Sequence, residues 1–187
     1  ASARHRLLIS QLVLDECAGG DPTAARERLE VVALLALLDV TDAVDDLADA
    51  LTANGAIPPS EPRDAFHIAI AAVNGAQYLV TWNFKHIANA AMRGSIESVC
   101  RNSGFEHPLS VRPKNWPENT MPDSPTDEIR AIRHELAAKF DNDIKRIGED
   151  LRLRQQASGC EYIRLPKRIP HSQHTANQTS HAPTSRE

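Results

Sequence analysis

Aromatic side chains make up only 4% of the 187 residues, and the three cysteines, Cys17, Cys100 and Cys160, are widely spaced with no CxxC pair. A disulfide framework needs paired, patterned cysteines and a zinc site needs clustered Cys or His, so neither is expected to organise this chain. No signal-peptide pattern is present, and the thiols read as reduced groups in a cytoplasmic protein. The longest strictly apolar run, VVALLALL at 31–38, falls well short of the ~20 residues of a spanning helix, so a soluble protein with no membrane partner is expected. An excess of one charge is missing too: 21 Lys+Arg stand against 25 Asp+Glu, net -4. Without a global basic field, contact with nucleic acid would run through a local patch or through bridging metal ions.

What is abundant is aliphatic. Hydrophobic residues make up 41%, enough for a core of Leu, Val, Ile and Ala, and the length suits one domain or one domain with an appendage. Residues 1–120 hold 10 Lys+Arg against 15 Asp+Glu, whereas 121–187 hold 11 against 10. Between these unlike parts lie Pro108, Pro113, Pro117, Pro122 and Pro125, five of the 12 prolines. Proline fixes φ and removes an amide donor, so 113–125 reads as a linker. The division is then a domain over 1–112, the linker, a helical segment over 126–165 and a tail over 166–187. From about Ile169 that tail is Ser, Thr, Asn, Gln, His and Pro, a composition expected to be disordered.

Before the linker, apolar runs alternate with capped helical patterns. LLI at 7–9 predicts a strand, Ser10 a cap, and Gly19-Gly20 a stop. Asp21-Pro22 predicts an N-cap followed by proline in the first turn. LLDV at 37–40 predicts a strand, and Thr41 a cap for a helix with Val44, Leu47, Ala48 and Leu51 on one face. Asp42, Asp45, Asp46 and Asp49 would form its solvated face. Ser60 would cap a helix carrying Asp64, Phe66, Ile70 and Val73, and YLVTW at 78–82 predicts a strand buried on both faces. A helix from about Lys85 to Asn102 and the strand LSV at 109–111 complete an α/β pattern, a parallel sheet flanked by helices. Beyond the linker, Ile129, Ile132, Leu136 and Phe140 share one helical stripe. Asp141 or Asn142 would open a second helix with Ile144, Ile147 and Leu151.

In such a sheet ligands collect at the carboxyl ends of the strands. That rule selects Glu16, after the first strand, Asp64, in a first helical turn, and Asn83, at the end of YLVTW. Each alone has a structural explanation: a solvated charge for Glu16, helix-dipole stabilisation for Asp64, a left-handed turn for Asn83. Converging, they would need a counter-charge, and oxygen ligands favour Mg²⁺ or Mn²⁺, which can polarise a phosphodiester and activate water. His67 and His86 lie near the same strand end; His67 reads as a polar side chain satisfied in the packing rather than a metal ligand. Cys17 and Cys100 read as small buried side chains.

The phrases LISQLVLDECAGGDPTAARERLE (8–30), PRDAFHIAIAAVNGAQYLVTWNFKHIANA (62–90) and IESVCRNSGFEHPLSVRPKNW (96–116) resemble the PIN domain, in the group similar to VapC-like toxins of bacterial toxin-antitoxin systems. The resemblance covers about residues 5–116. It implies a PIN-like parallel sheet flanked by helices and an acidic cluster that binds Mg²⁺ or Mn²⁺ and cuts RNA. Glu16 and Asp64 match its acidic metal ligands, and Asn83 stands where Asp is common in the wider family. It also implies a preceding strand with the first acidic ligand, before the strand matched by 6–9. Relative to that pattern the sheet is truncated at its N-terminus, and two formal negative charges imply weaker metal affinity. Residues 127–168 resemble the small antitoxin proteins encoded beside such toxins. Two expectations result: a metal-dependent endoribonuclease with Glu16, Asp64 and Asn83 at its centre, or a catalytically silent, truncated module fused to an antitoxin-like segment. The implied partners are an RNA substrate, a cognate antitoxin or the chain's own C-terminal segment, and a second copy in a homodimer.

Overall fold

A computed structural model describes residues 5–111 and 125–170. The elements run β1 (Leu8–Ser10), α1 (Gln11–Cys17), α2 (Pro22–Val32), β2 (Ala36–Leu38), α3 (Asp42–Ala53), α4 (Pro62–Val73), β3 (Tyr78–Val80), α5 (Ala90–Asn102), β4 (Leu109–Val111), α6 (Pro125–Ala138), α7 (Ile144–Ala157) and β5 (Tyr162–Ile163). This is an α/β architecture, and every strand pairing in it is parallel. The single sheet expected from the sequence is instead two small ones, β1-β2-β5 and β3-β4. No described helix is long and apolar enough to cross a membrane.

The core forms where α3 lies on α4. The 3.6-residue spacing of Val44, Leu47, Ala48 and Leu51 aims them inward, and each is at most 1% exposed. Helix α4 is covered nearly all round, because alanines at 65, 69, 71 and 72 let neighbours approach while Phe66, Ile68 and Ile70 fill the space. Each large side chain buried this way contributes roughly 1.5–3 kcal/mol. Leu12, Ile96 and Cys100 extend the same cluster, and so do Ile144, Ile147 and Leu151 of α7.

Local punctuation follows the sequence in part. Asp21 caps α2, its Oδ1 accepting from the amides of Thr23 and Ala24 at 3.0 and 2.9 Å, ahead of Pro22. Gly75, after Asn74, has φ +70, and a Cβ there would run into the carbonyl oxygen of Pro166, so the turn needs glycine on two counts. Several expectations are corrected. Glu61, not Ser60, is the N-cap of α4, because Pro62 already occupies its first turn. Helix α5 starts at Ala90 rather than Lys85, since Asn89 turns its side chain onto the amide of Ala91. Asp143 caps α7, and Asp141 and Asn142, at φ 55 and 59, form the left-handed turn before it. The YLVTW run is a strand only over 78–80 and is not buried on both faces: Thr81 is buried, but Tyr78 and Val80 are about half exposed, since among the described residues β3 has a strand on one side only. Asp45 leaves the solvated face of α3 and pairs with Arg152 of α7; burial pushes its carboxyl pKa up, against the pull of Arg152. Cys17 is half-buried, whereas Cys100 is fully buried.

The segment after the linker is more than helical. Its β5 extends the β1-β2 sheet, with Leu37 opposite Tyr162 and Leu38 opposite Ile163. Pro125, placed in the linker from sequence, is the first residue of α6; the rest of the 113–125 linker and tail residues 171–187 lie outside the described residues.

Candidate metal-binding and acidic site

Four polypeptide pieces bring charge to one end of the strands. Helix α1 leaves the C-terminal end of β1 and presents Glu16 from its last turn, 4% exposed. The start of α4 supplies Glu61, Arg63, Asp64 and His67, all buried. The loop after β3 supplies Asn83 and His86, and α6 lays Arg133 across the top.

Glu16 is the most heavily partnered. Its Oε1 lies 2.9 Å from His67 Nε2 and accepts from Arg63 Nε at 3.3 Å, while Oε2 accepts from Arg133 Nε at 2.9 Å. Burial alone would raise its pKa, but the imidazole of His67 and the guanidinium groups of Arg133 and Arg63 outweigh that cost and bring it down to about 2. Arg63, its own pKa lowered by burial, is held by Glu16 and donates through Nη2 to the Leu12 carbonyl at 3.1 Å.

Asp64, 1% exposed, is bound from three directions. Its Oδ2 accepts from Asn83 Nδ2 at 2.7 Å and lies 2.8 Å from His86 Nδ1, and its Oδ1 accepts from Arg133 Nη1 at 3.2 Å. Asn83 is itself fixed: its amide donates to Thr81 Oγ1, and its Oδ1 accepts from the His86 amide. The three residues selected from sequence, Glu16, Asp64 and Asn83, therefore lie together. Asn83 bonds Asp64 directly, and Arg133 spans from Asp64 to Glu16.

The sequence reading missed two members. Glu61, Asp64 and His86 each offer one ligand atom, all within 4.8 Å of one another, and this buried group can hold a metal ion. Glu61 lies one helical turn before Asp64, the spacing that puts two side chains on one face, and that was the available signal. His86 was noticed but given no ligand role, because its partners are distant in sequence. A mixed carboxylate and imidazole set is less selective for hard cations than the all-oxygen set expected, and imidazole suits transition metals. The argument against zinc, which rested on the lack of a second His or Cys at ligand spacing, loses force once carboxylates complete the set. His67 does lie in the packing as expected, its Nε2 on Glu16.

No protein-family model, no curated protein and no solved structure matches the chain. The likeness to PIN domains rests on the sequence phrases alone, and the site must be read from its own chemistry.

The carboxylates of Glu16, Glu61 and Asp64 converge with the imidazoles of His67 and His86, and the guanidinium groups of Arg63 and, from the C-terminal segment, Arg133 supply the positive charge that buried carboxylates demand. A metal ion held by Glu61, Asp64 and His86 would compete directly with Arg133 for Asp64.

Proposed function

We propose that this chain carries a metal-dependent phosphodiesterase site of the endoribonuclease kind, a toxin-like activity held closed in cis by its own α6. The observation that carries the reading is the guanidinium of Arg133, bonded at once to Glu16 and Asp64. Burying carboxylates side by side costs several kcal/mol unless a cation joins them. Sites that bind Mg²⁺ or Mn²⁺ are built from such groups, and an arginine on a separate element substitutes for the ion without offering its chemistry.

With α6 withdrawn, Glu61, Asp64 and His86 would hold the ion, whose contribution is to polarise a phosphate oxygen and lower the pKa of water. Asn83 would keep Asp64 aimed through its 2.7 Å bond. Glu16, freed from Arg133 but still held by His67 and Arg63, would remain ionised and accept a hydrogen bond from the attacking water. RNA is the proposed substrate on the strength of the resemblance, and its backbone fits a site that joins a cation to carboxylates.

The second reading, a catalytically silent binding module, gains from the same contact: two of the three carboxylates already have their cation. One experiment separates the two. Full-length protein and the Arg133→Ala variant are given Mn²⁺ and a single-stranded RNA, with Asp64→Asn as a control. Cleavage that appears or rises at least tenfold in Arg133→Ala and disappears when Asp64→Asn is added supports the enzyme. Manganese binding without cleavage in Arg133→Ala supports the silent module, and loss of neither activity nor binding in Asp64→Asn overturns the site.

A further inference from the structure

Strand β3 has an open face, and that face is aromatic. Exposure alternates from Tyr78 to Trp82: Tyr78, Val80 and Trp82 are exposed, Leu79 is half-buried and Thr81 is buried. A period of two places Tyr78, Val80 and Trp82 together on one side of the strand. The same three residues line a cleft of about 1440 Å³, which at the C-terminal end of β3 is also lined by Asn83, Asp64 and His86 of the acidic site. With only 2 Trp and 2 Tyr in 187 residues, composition does not account for one of each on so short an exposed face.

The backbone ties Trp82 to the site. The Thr81 amide donates to the Val111 carbonyl at 3.0 Å, and the Phe84 amide donates to the Trp82 carbonyl at 3.0 Å, which turns the chain at Asn83. Asn83 in turn bonds Asp64 at 2.7 Å, so Trp82 adjoins the residue that holds the carboxylate. Tyr78 lies four residues earlier, about 13 Å along an extended strand. The His5 ring meets it edge to face, 5.5 Å between centroids. Phe84 is 48% exposed, as open as Trp82 at 41%, yet it does not line the cleft. Cations stand at both ends of that cleft. Arg168 donates to the Ala76 carbonyl near Tyr78, Arg28 donates to the Cys17 carbonyl next to Glu16, and Arg6 and Arg130 line the same walls. Positive charge at both ends suits a chain that carries a negative charge on every unit.

We propose that Trp82 and Tyr78 are platforms on which bases of a single-stranded RNA stack as the strand runs along β3 to the acidic site. The identity of the strand rests on the phosphodiesterase reading of that site, whereas the role of the rings rests on their exposure and their place in the cleft. Every base has a π-face, so an open aromatic ring holds a single strand without reading its sequence, and aromatics on a sheet face are a recurring way of doing so. The bases of a duplex are paired inward and stacked about 3.4 Å apart, so they cannot reach two rings about 13 Å apart; an unstacked single strand can. The guanidinium groups position the phosphates. A base stacked on Trp82 leaves its adjoining phosphodiester beside Asn83 and Asp64, where the ion would act.

The probe is an oligoadenosine of about eight nucleotides, added to the full chain in a metal chelator so that binding is read without cleavage. An oligomer of the same length with abasic sugars keeps the phosphates and lacks the bases. Trp116→Phe in every protein leaves Trp82 the sole tryptophan. The expected result is saturable quenching of Trp82 fluorescence by oligoadenosine and little by the abasic oligomer. Trp82→Ala should weaken binding of a labelled oligoadenosine, followed by anisotropy, by about tenfold, and Tyr78→Ala by about fivefold. The salt dependence of binding should not change in either, because neither ring neutralises a phosphate. Trp82→Phe, which keeps a ring, should recover most of the affinity, and Phe84→Ala should change nothing. The contrast between the two oligomers needs no substitution at either ring, so the test stands even if Trp82→Ala fails to fold. Equal quenching by both oligomers, or equal affinities of Trp82→Ala and Phe84→Ala, would overturn the platforms even if Arg133→Ala cleaves RNA. Quenching that depends on bases, with no cleavage by any variant, would remove the enzyme and leave the platforms standing.

Discussion

The two helices that follow the linker dock with different balances of apolar and charged contact: both form ion pairs with the first part of the chain, but α7 buries the larger apolar stripe. Helix α7 inserts a stripe, Ile144, Ile147 and Leu151, into the central cluster, and Gly148 on the same face sits against Asp45 of α3. Among the described residues of α6, Ala137 joins that cluster, Ile132 is buried against Gly19, Ile129 and Leu136 are half-buried, and charged side chains make further contacts. Arg133 reaches Glu16 and Asp64, His134 lies 3.0 Å from Glu61, and Arg28 meets Glu128 at 3.5 Å. Apolar burial is indifferent to pH and strengthened by salt, while ion pairs weaken with both acid and ionic strength. On the proposed reading, α7 is part of the fold and α6 a cover whose removal would expose the acidic site.

The largest effect should come from the α7 side. Leu151→Ala deletes a fully buried side chain and should cost about 2–5 kcal/mol, read by denaturant unfolding, with all probes falling together. A transition that releases α7 alone would put it in the same class as α6. Acid should discriminate next. The pKa of Glu16 is held at about 2 against an ordinary 4.5, a depressed acid, so its stabilisation is present above about 4.5 and is lost as pH falls towards 2. The shift is worth on the order of 3 kcal/mol. Unfolding titrated from pH 6 to about 2 should show this loss, and Glu16→Gln should flatten it. Identical profiles for the two proteins would mean that the pairs around Glu16 contribute nothing net. Arg133→Ala should cost less, about 1–3 kcal/mol, because Glu16 keeps Arg63 and His67 and Asp64 keeps Asn83 and His86. Millimolar Mn²⁺ should recover that loss in the variant and leave the parent unchanged; equal response of both would separate Arg133 from the metal site.

The same contrast explains what the sequence made legible. Periodic apolar stripes were readable on α3, α4, α6 and α7, because a helix face is written in residues three and four apart. The convergence of Glu16, Asp64 and Asn83 followed from one topological rule about strand ends. Arg133 was not readable: it lies 117 residues from Glu16, and nothing local marks an arginine on a polar helix face as the partner of a buried acid. Glu61 was hidden by Ser60, the stronger capping residue on paper, until proline at 62 moved the cap. The exposure of β3 was misread for a related reason, since an aliphatic run reports that a strand wants two neighbours, not that it has them.

The smallest expected effect tests the α6 side by geometry rather than charge. A Cβ at Gly19 would lie 2.6 Å from Ile132 Cγ2 and within 3.2 Å of two further atoms of that side chain. Gly19 has no left-handed φ to defend, so Gly19→Ala acts through this contact alone, at a cost of about 1 kcal/mol. Helix α6 must retreat by a few tenths of an ångström, and Arg133, one residue beyond Ile132, retreats with it from Glu16 and Asp64. Part of the cost of Gly19→Ala is then the same loosening that Arg133→Ala produces, so the double variant should lose less than the sum of the singles. Gly94→Ala is the control: nothing lies within 4 Å of its Cβ, and inside α5 the change should stabilise by about 0.5–1 kcal/mol and add independently to Arg133→Ala. Strict additivity for Gly19→Ala as well would mean that α6 does not move as a unit, and the picture of a cover that lifts from the acidic site would fall.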